Sequence, residues 1–177
     1  MKRLSAITAG LLVIAFTAFG CATRSSDMGW ITLIDGEKGM ENWNRAGDVN
    51  WRVEGGAIVG DKGKGGHLVS KNSYKDFELY IEFWADQTTQ SGIYMRCQDP
   101  NKITDRSCYE AQIYDQRPVA EYSTGAIVNF ASVPVPPIYK TTGSWNTYEI
   151  YAKGPEVTVK LDGAVTVHMR DSSFAQG

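Results

Sequence analysis

Hydrophobic and polar residues alternate along most of the chain after residue 28, in short runs separated by Gly, Asn, Asp and Pro. The clearest run is "DFELYIEFWAD", residues 76–86. A period of two predicts a half-buried β-strand here, with one apolar face. The inner face would carry Phe77, Leu79, Ile81 and Phe83, and the outer face Glu78, Tyr80, Glu82 and Trp84.

Similar runs recur between turn signals along the rest of the chain. Further strands are predicted within residues 50–61, 91–97, 125–130, 145–154 and 156–169. The last of these reads as a hairpin with Asp162-Gly163 at its tip. The long segments 98–107 and 131–144 are predicted loops. Many short strands joined by turns favour a single all-β domain, an antiparallel β-sandwich.

The N-terminus has the pattern of an export signal. "MKRLSAITAGLLVIAFTAFGC" combines a basic start with an apolar run that ends just before Cys21, as secretory signals do. We predict a signal peptide at residues 1–20 and, because the cleavage region resembles a bacterial lipobox, lipidation of Cys21. Cleavage nearby that leaves Cys21 free is the alternative. Residues 21–28 would form a tether, and the protein would be an exported lipoprotein of the cell envelope or periplasm, anchored in a membrane.

Charge and cysteine content narrow the possible partners. The 177 residues carry a formal net charge of −2, which gives no indication of nucleic-acid binding. Export would leave Cys97 and Cys108 as an even pair in an oxidising compartment, which predicts a disulfide. Two cysteines without nearby histidines do not predict a metal site.

The segment "CYEAQIYDQ", residues 108–116, carries an unusual polar row. With a period of two, one face of this strand holds Tyr109, Ala111 and Ile113, and the other holds Glu110, Gln112 and Tyr114. A carboxylate, an amide and a phenol in a row are either a solvated surface or the floor of a site.

The segments "DFELYIEF", "SGIYMRCQDPNKITDRSCYEAQIYDQ", "TGAIVN" and "WNTYEIYAKG" together give the chain a family likeness. From about residue 30 to 177 it resembles the 3-keto-disaccharide hydrolase domain family. The resemblance implies a concanavalin-like jelly-roll at residues 29–177 that lacks its last strands, because members continue past "FAQG". It also implies cleavage of 3-keto-glycosides by hydrolysis, or by 1,2-elimination and hydration. An upstream sugar oxidoreductase would make the ketone, and a divalent metal is possible without named ligands.

Such chemistry needs a base, a positive or donating group near the ketone, and an acid for the leaving oxygen. We expect Glu110 to be the base, Arg96 to neutralise charge and Glu82 to be the second carboxylate. The residues expected to bind substrate are Gln112, Tyr94, Tyr114, Asp115, Trp84 and His67. The alternatives are an Arg96–Glu110 ion pair on a solvated face, packing for Trp84 and turn capping for Asp115.

Two of these expectations conflict. If Cys97 faced Cys108 directly across a hairpin, Arg96 and Glu110 would point to opposite faces. A bulge, or a disulfide beyond the paired region, would restore a common face, and we expect the two side chains to meet in one recess. A non-catalytic carbohydrate-binding lipoprotein is the alternative function, and an envelope scaffold is a weaker one. Substitution of Glu110 would separate an enzyme from a pure binder.

Overall fold

In a computed structural model, the structure describes residues 29–175. The predicted signal peptide (1–20), the lipidation site Cys21 and the tether (21–28) lie outside the described residues. The strands lie in one compact unit that begins at Leu33. Among the described residues, no helix has the length and apolar character needed to cross a membrane.

Ten strands make up the described part of the chain, with two 3₁₀ helices, Met40–Asn42 and Ala120–Tyr122. The strands are β1 (Trp43–Gly47), β2 (Asn50–Glu54), β3 (Ala57–Asp61), β4 (Gly66–Ser70), β5 (Phe77–Trp84), β6 (Ser91–Met95), β7 (Tyr109–Ile113), β8 (Trp145–Lys153), β9 (Glu156–Leu161) and β10 (Ala164–Arg170).

All strand pairs are antiparallel. One four-stranded sheet has the order β10-β9-β8-β5, and three two-stranded ladders join β1 to β4, β2 to β3 and β6 to β7. The predicted all-β, antiparallel sandwich is therefore confirmed. The hairpin between β9 and β10 turns at Asp162-Gly163, both with positive φ, as the sequence predicted.

The core lies between the inner face of the four-stranded sheet and one face of the β6–β7 ladder. Its buried side chains include Phe83, Tyr148, Ile150, Val157, Val159 and Leu161 from the sheet, and Met95, Tyr109, Ala111 and Ile113 from the ladder. Phe77, Leu79 and Ile81 pack against this cluster, so the inner face predicted for β5 is correct. The Tyr148 side chain crosses the core, and its hydroxyl donates to the Gln112 carbonyl oxygen at 2.5 Å.

The predicted strand at residues 125–130 is wrong. Ile127 makes only isolated bridges, to Ala111 and Ala131, and Asn129 has a left-handed backbone with φ of 66°. A residue in that conformation ends the alternation that a strand requires. The segment still covers β7, because Val128 donates to the Glu110 carbonyl oxygen at 3.1 Å.

Candidate functional site

The β6–β7 ladder supplies the floor of the site. Tyr94 lies opposite Glu110, and Met95 lies opposite Tyr109. Every residue of β7 is buried, although only alternate ones face the core. The polar row of β7 is thus not a solvated surface, because Glu110 is only 7% exposed and Gln112 is buried as well.

The Glu110 side chain lies against the backbone of β6. A Cβ atom at Gly92 would lie 2.8 Å from Glu110 Oε1 and 2.9 Å from Glu110 Cγ. Real Cβ atoms essentially never approach other atoms this closely, so in its present position the carboxylate occupies space that only a glycine leaves open. Gly92 does not have a positive φ, which means that the side chain above it, and not its backbone, accounts for the glycine.

Burial dominates the electrostatics of Glu110. Loss of solvent raises the pKa of the Glu110 carboxyl above its ordinary value, and the charge of Asp105 raises it further. The Tyr94 hydroxyl and the Arg117 guanidinium act in the opposite direction. Burial and the neighbouring Glu110 likewise raise the pKa of the Tyr94 phenol. Raised carboxyl pKa values are typical of groups that exchange protons in catalysis.

His67 borders the same group from a neighbouring ladder. It lies in β4 opposite Ala46, and its ring meets Tyr94 edge-on with centroids 5.2 Å apart. Burial lowers the pKa of His67 below its ordinary value, which favours the neutral imidazole. The structure therefore brings together three predicted site residues, Glu110, Tyr94 and His67.

The expected meeting of Arg96 with Glu110 is wrong. Arg96 has a φ of 54°, and this left-handed turn directly after β6 carries its side chain out of the strand alternation. The guanidinium is buried and donates to the carbonyl oxygens of Lys75 at 3.1 Å and Gly154 at 2.6 Å. It also contacts Asp76 at 3.4 Å.

The Cys97–Cys108 disulfide forms as predicted. It lies beyond the paired region, since the ladder ends with Met95 opposite Tyr109. The alternation alone would then put positions 96 and 110 on one face. Because the backbone turns at Arg96, its side chain does not reach the face that carries Glu110.

Glu82 and Trp84 do not join the Glu110 site. Both lie on the outer face of the four-stranded sheet, with the core between them and the β6–β7 ladder. Glu82 lies opposite Thr147 and Trp84 opposite Trp145. The expectation that the outer faces of three strands form one site fails because β5 belongs to a different sheet from β6 and β7.

Asp115 follows β7 and ties three loop positions together. Its carboxylate accepts hydrogen bonds from Thr124 Oγ1, from the N–H and hydroxyl of Thr141, and from the N–H of Thr142 at 3.1 Å. Burial alone would raise the pKa of Asp115, but these donors outweigh it and lower the pKa. Asp115 was expected either to bind substrate or to cap a turn, and its hydrogen bonds are those of a turn cap.

The two remaining predicted binding residues make mainly backbone contacts. Gln112 Oε1 accepts the Ile113 N–H at 3.1 Å. The Tyr114 N–H donates to Thr124 Oγ1 at 2.9 Å, and the residue is half-buried. Both follow Glu110 along the chain, and their roles toward a sugar stay predictions.

Three residues near Glu110 were missed from the sequence. Arg117 and Asp105 lie in loops without periodicity, and their charges act on Glu110 across space. Arg117 Nε is buried and has no hydrogen-bond partner among the described residues. Asp105 accepts the Asn129 side-chain N–H at 3.1 Å. The third is Gly92, for which a glycine inside an alternating strand was the available signal.

Within residues 29–175, no group of three or more His, Cys, Asp or Glu side chains is arranged to hold a metal ion. The residues around Glu110 thus do not supply a ligand set for the divalent metal that the resemblance permits.

Comparison with known proteins places the chain in a family. The model of the 3-keto-alpha-glucoside-1,2-lyase-like domain matches residues 29–177, which confirms the resemblance drawn from the sequence. No curated protein matches the chain.

Solved structures share the fold. A candidate glycosyl hydrolase from Parabacteroides distasonis is 27% identical with a TM-score of 0.52, over 57% of this chain and 54% of its own. The chain thus matches about half the length of that relative. A second such protein from the same organism is 18% identical with a TM-score of 0.68, over 81% of this chain and 73% of its own.

The carbohydrate-binding module CBM66 from Bacillus subtilis is 17% identical with a TM-score of 0.56, over 77% of this chain and 83% of its own. At this identity, and at that of the second Parabacteroides protein, the likeness concerns the fold alone.

Proposed function

Because the chain belongs to the 3-keto-alpha-glucoside-1,2-lyase-like domain family, we propose that it cleaves the glycosidic bond of glycosides that carry a ketone at carbon 3. Family membership supports action on glycosides, and the fold likeness to candidate glycosyl hydrolases agrees with it. The buried Glu110 carboxyl, with its raised pKa and its neighbours Tyr94, His67 and Arg117, is the observation that carries the proposal.

Glu110 acts as the base. A ketone at carbon 3 acidifies the hydrogen on carbon 2, and Glu110 removes that hydrogen as a proton. The electrons of the broken C–H bond form a double bond between carbons 2 and 3, and the negative charge moves to the oxygen of carbon 3, which gives an enolate. When the ketone reforms, a double bond forms between carbons 1 and 2, and the bond from carbon 1 to the leaving oxygen breaks. A base with a raised pKa suits this step, because it holds the proton more firmly than an exposed carboxylate does.

Arg117 replaces Arg96 as the cation of the mechanism. Its charge acts on both Glu110 and Tyr94, and its buried Nε lacks a partner among the described residues. A buried donor without a partner is costly unless something binds it, and an enolate oxygen would satisfy it. The sugar would then lie between Arg117 and Glu110.

The leaving oxygen needs a proton, which Tyr94 or the neutral His67 would supply. Tyr94 lies opposite Glu110 in the ladder, and its raised pKa keeps the phenol protonated. Water then adds to the new double bond and completes a net hydrolysis: its hydroxide bonds to carbon 1, and its proton returns to the residue that protonated the leaving oxygen. The proton on Glu110 exchanges with solvent while the unsaturated sugar is bound, and Glu110 then protonates carbon 2.

Turnover of a purified 3-keto-disaccharide tests the proposal. Wild-type protein should release the sugar that is linked through oxygen to carbon 1. Glu110→Gln should still bind the substrate but lose at least about 10³-fold in kcat, because the amide cannot accept the proton. Glu82→Gln is the matched control, since its carboxylate lies on the other side of the core, and it should turn over normally. If the folded wild-type protein released no sugar, the proposed enzymatic activity would be rejected.

A second candidate function is sugar binding without catalysis. The absence of Glu82 from the site favours it, because the predicted second carboxylate does not lie beside Glu110. The fold of CBM66 also shows that this architecture occurs in a carbohydrate-binding module. A pure binder would change only its affinity in Glu110→Gln, whereas the enzyme would lose turnover.

We also propose export and membrane anchoring through a lipid on Cys21, and a partner oxidoreductase that supplies the ketone. The signal-like residues 1–20 support export. Incorporation of labelled fatty acid into the wild-type protein but not into Cys21→Ser would bear out the anchor, and equal labelling of both would reject it.

A further inference from the structure

The outer face of the four-stranded sheet carries exposed aromatic rings at one end. Trp84 and Trp145 lie opposite each other across β5 and β8, and they are 52% and 63% exposed. Tyr80 lies on the same face and is 53% exposed. Tyr80 and Trp84 are four positions apart along β5, or about 14 Å. We call this surface the aromatic strip: Tyr80, Trp84, Trp145 and the polar residues between them.

Carboxylates and hydroxyls separate the rings. Along β5 the strip reads Glu78, Tyr80, Glu82 and Trp84, so each ring is next to a carboxylate. The Tyr80 hydroxyl donates to Glu82 Oε1 at 3.3 Å. Thr147 lies opposite Glu82, and Glu149 lies opposite Tyr80.

From this alternation we propose that the aromatic strip binds a neutral oligosaccharide chain, at a site separate from Glu110. A pyranose ring has an apolar face and a rim of hydroxyls. The apolar face stacks on an exposed aromatic ring, and the hydroxyls donate to neighbouring carboxylates. A strip of rings about one to three sugar units apart matches a chain of sugars better than a single sugar.

The charge of the strip argues against other occupants. Three carboxylates lie along the strip, those of Glu78, Glu82 and Glu149, and Lys160 lies 3.6 Å from Glu149. The outer-face cation Lys153 lies opposite Glu156, at the end of β8 away from Trp145. This excess of carboxylates repels anionic lipid headgroups and also a second copy of the same face. Protein interfaces are depleted of charged residues at their centre, whereas here a carboxylate stands between the rings. A neutral polyol has no such conflict.

The core separates this strip from the Glu110 site, so the inference goes beyond the proposed function and does not depend on it. One domain would then hold a glycan on one face and act on a sugar at the other.

Titration of the purified protein with maltohexaose, cellohexaose and mannohexaose tests the proposal, followed by tryptophan fluorescence and calorimetry. At least one of these neutral hexasaccharides should bind, and Trp84→Ala/Trp145→Ala should weaken that binding at least about tenfold. Trp30→Ala removes an exposed tryptophan outside the four-stranded sheet and should leave the affinity unchanged. Glu110→Gln should also retain binding.

Three results would overturn the proposal. Absence of binding to all three hexasaccharides is the first. Binding that is lost in Glu110→Gln and retained in the double tryptophan variant would assign the ligand to the Glu110 site. A wild-type dimer in sedimentation that the double variant dissociates would show that a second copy of the chain covers the strip.

Discussion

Glu110 occupies the space that Gly92 leaves open, because a Cβ atom at residue 92 would lie 2.8 Å from Glu110 Oε1. The carboxylate is thus held flat against β6, beside Tyr94 and out of solvent. The absence of a side chain at Gly92 therefore lets Glu110 stay buried, and burial raises the pKa of this proposed base.

Gly92→Ala should therefore displace the Glu110 carboxylate without unfolding the domain. The displaced group would gain solvent, and the pKa of Glu110 should fall toward its ordinary value. We expect kcat to drop by at least about tenfold, because misplaced catalytic groups lose rate steeply. Carbon NMR of the carboxyl measures the pKa, and Ser91→Ala, at an exposed position of the same strand, is the control. An unchanged pKa and rate would show that Glu110 does not depend on this space.

Stability should depend on pH through Glu110. Burial raises its pKa in the folded state above the ordinary 4.5, so the folded protein holds this proton to higher pH than the unfolded chain does. The contribution is complete below pH 4.5 and is lost as the pH rises through the folded value. Glu110→Gln, a neutral mimic of the protonated acid, should lack this loss. Urea unfolding of both proteins at pH 4 and pH 8 measures it, and parallel pH profiles would contradict the expectation.

Arg96 should matter for stability and not for chemistry. Its buried guanidinium joins the carbonyl oxygens of Lys75 and Gly154, and Arg96→Met should lower the free energy of unfolding by about 3 kcal/mol. Arg96→Lys should restore part of this loss, because it keeps the charge but not the planar fork. Urea unfolding gives both values. If Arg96→Met were as stable as the wild type but had no turnover, Arg96 would have a role in the reaction.

The Cys97–Cys108 disulfide should contribute about 2–3 kcal/mol through the loop that it closes. This loop contains Asp105, whose charge acts on Glu110. The Cys97→Ala/Cys108→Ala variant should unfold at lower urea concentration, and reduced wild-type protein should behave in the same way. Equal stability of the oxidised wild type and the variant would mean that the bond adds nothing.

The sequence predicted strands well where one face is apolar. In β5 the positions of Leu79 and Ile81 alternate with Glu78 and Tyr80, and the structure follows that pattern. It could not predict which sheet each strand joins, because sheet membership depends on long-range pairing. Glu82 was for that reason assigned to a site that lies across the core from it.

The site itself was predictable only in part. Glu110, Tyr94 and His67 were named from the sequence, and the structure places Tyr94 beside the other two; their roles toward a sugar stay predictions. Arg96 failed since a left-handed backbone, with φ of 54°, leaves no mark on the alternation. Arg117 was missed since a loop residue has no period that indicates its neighbours.

Cleavage of a 3-keto-disaccharide in D₂O, followed by NMR at carbon 2 of the product, tests the role of Glu110 most directly. Removal and return of the carbon 2 proton should place deuterium at that position with wild-type protein, faster than in buffer alone. Glu110→Gln should give neither cleavage nor exchange above the buffer rate. Cleavage by the wild type with the original hydrogen kept at carbon 2, or full exchange by Glu110→Gln, would contradict the account.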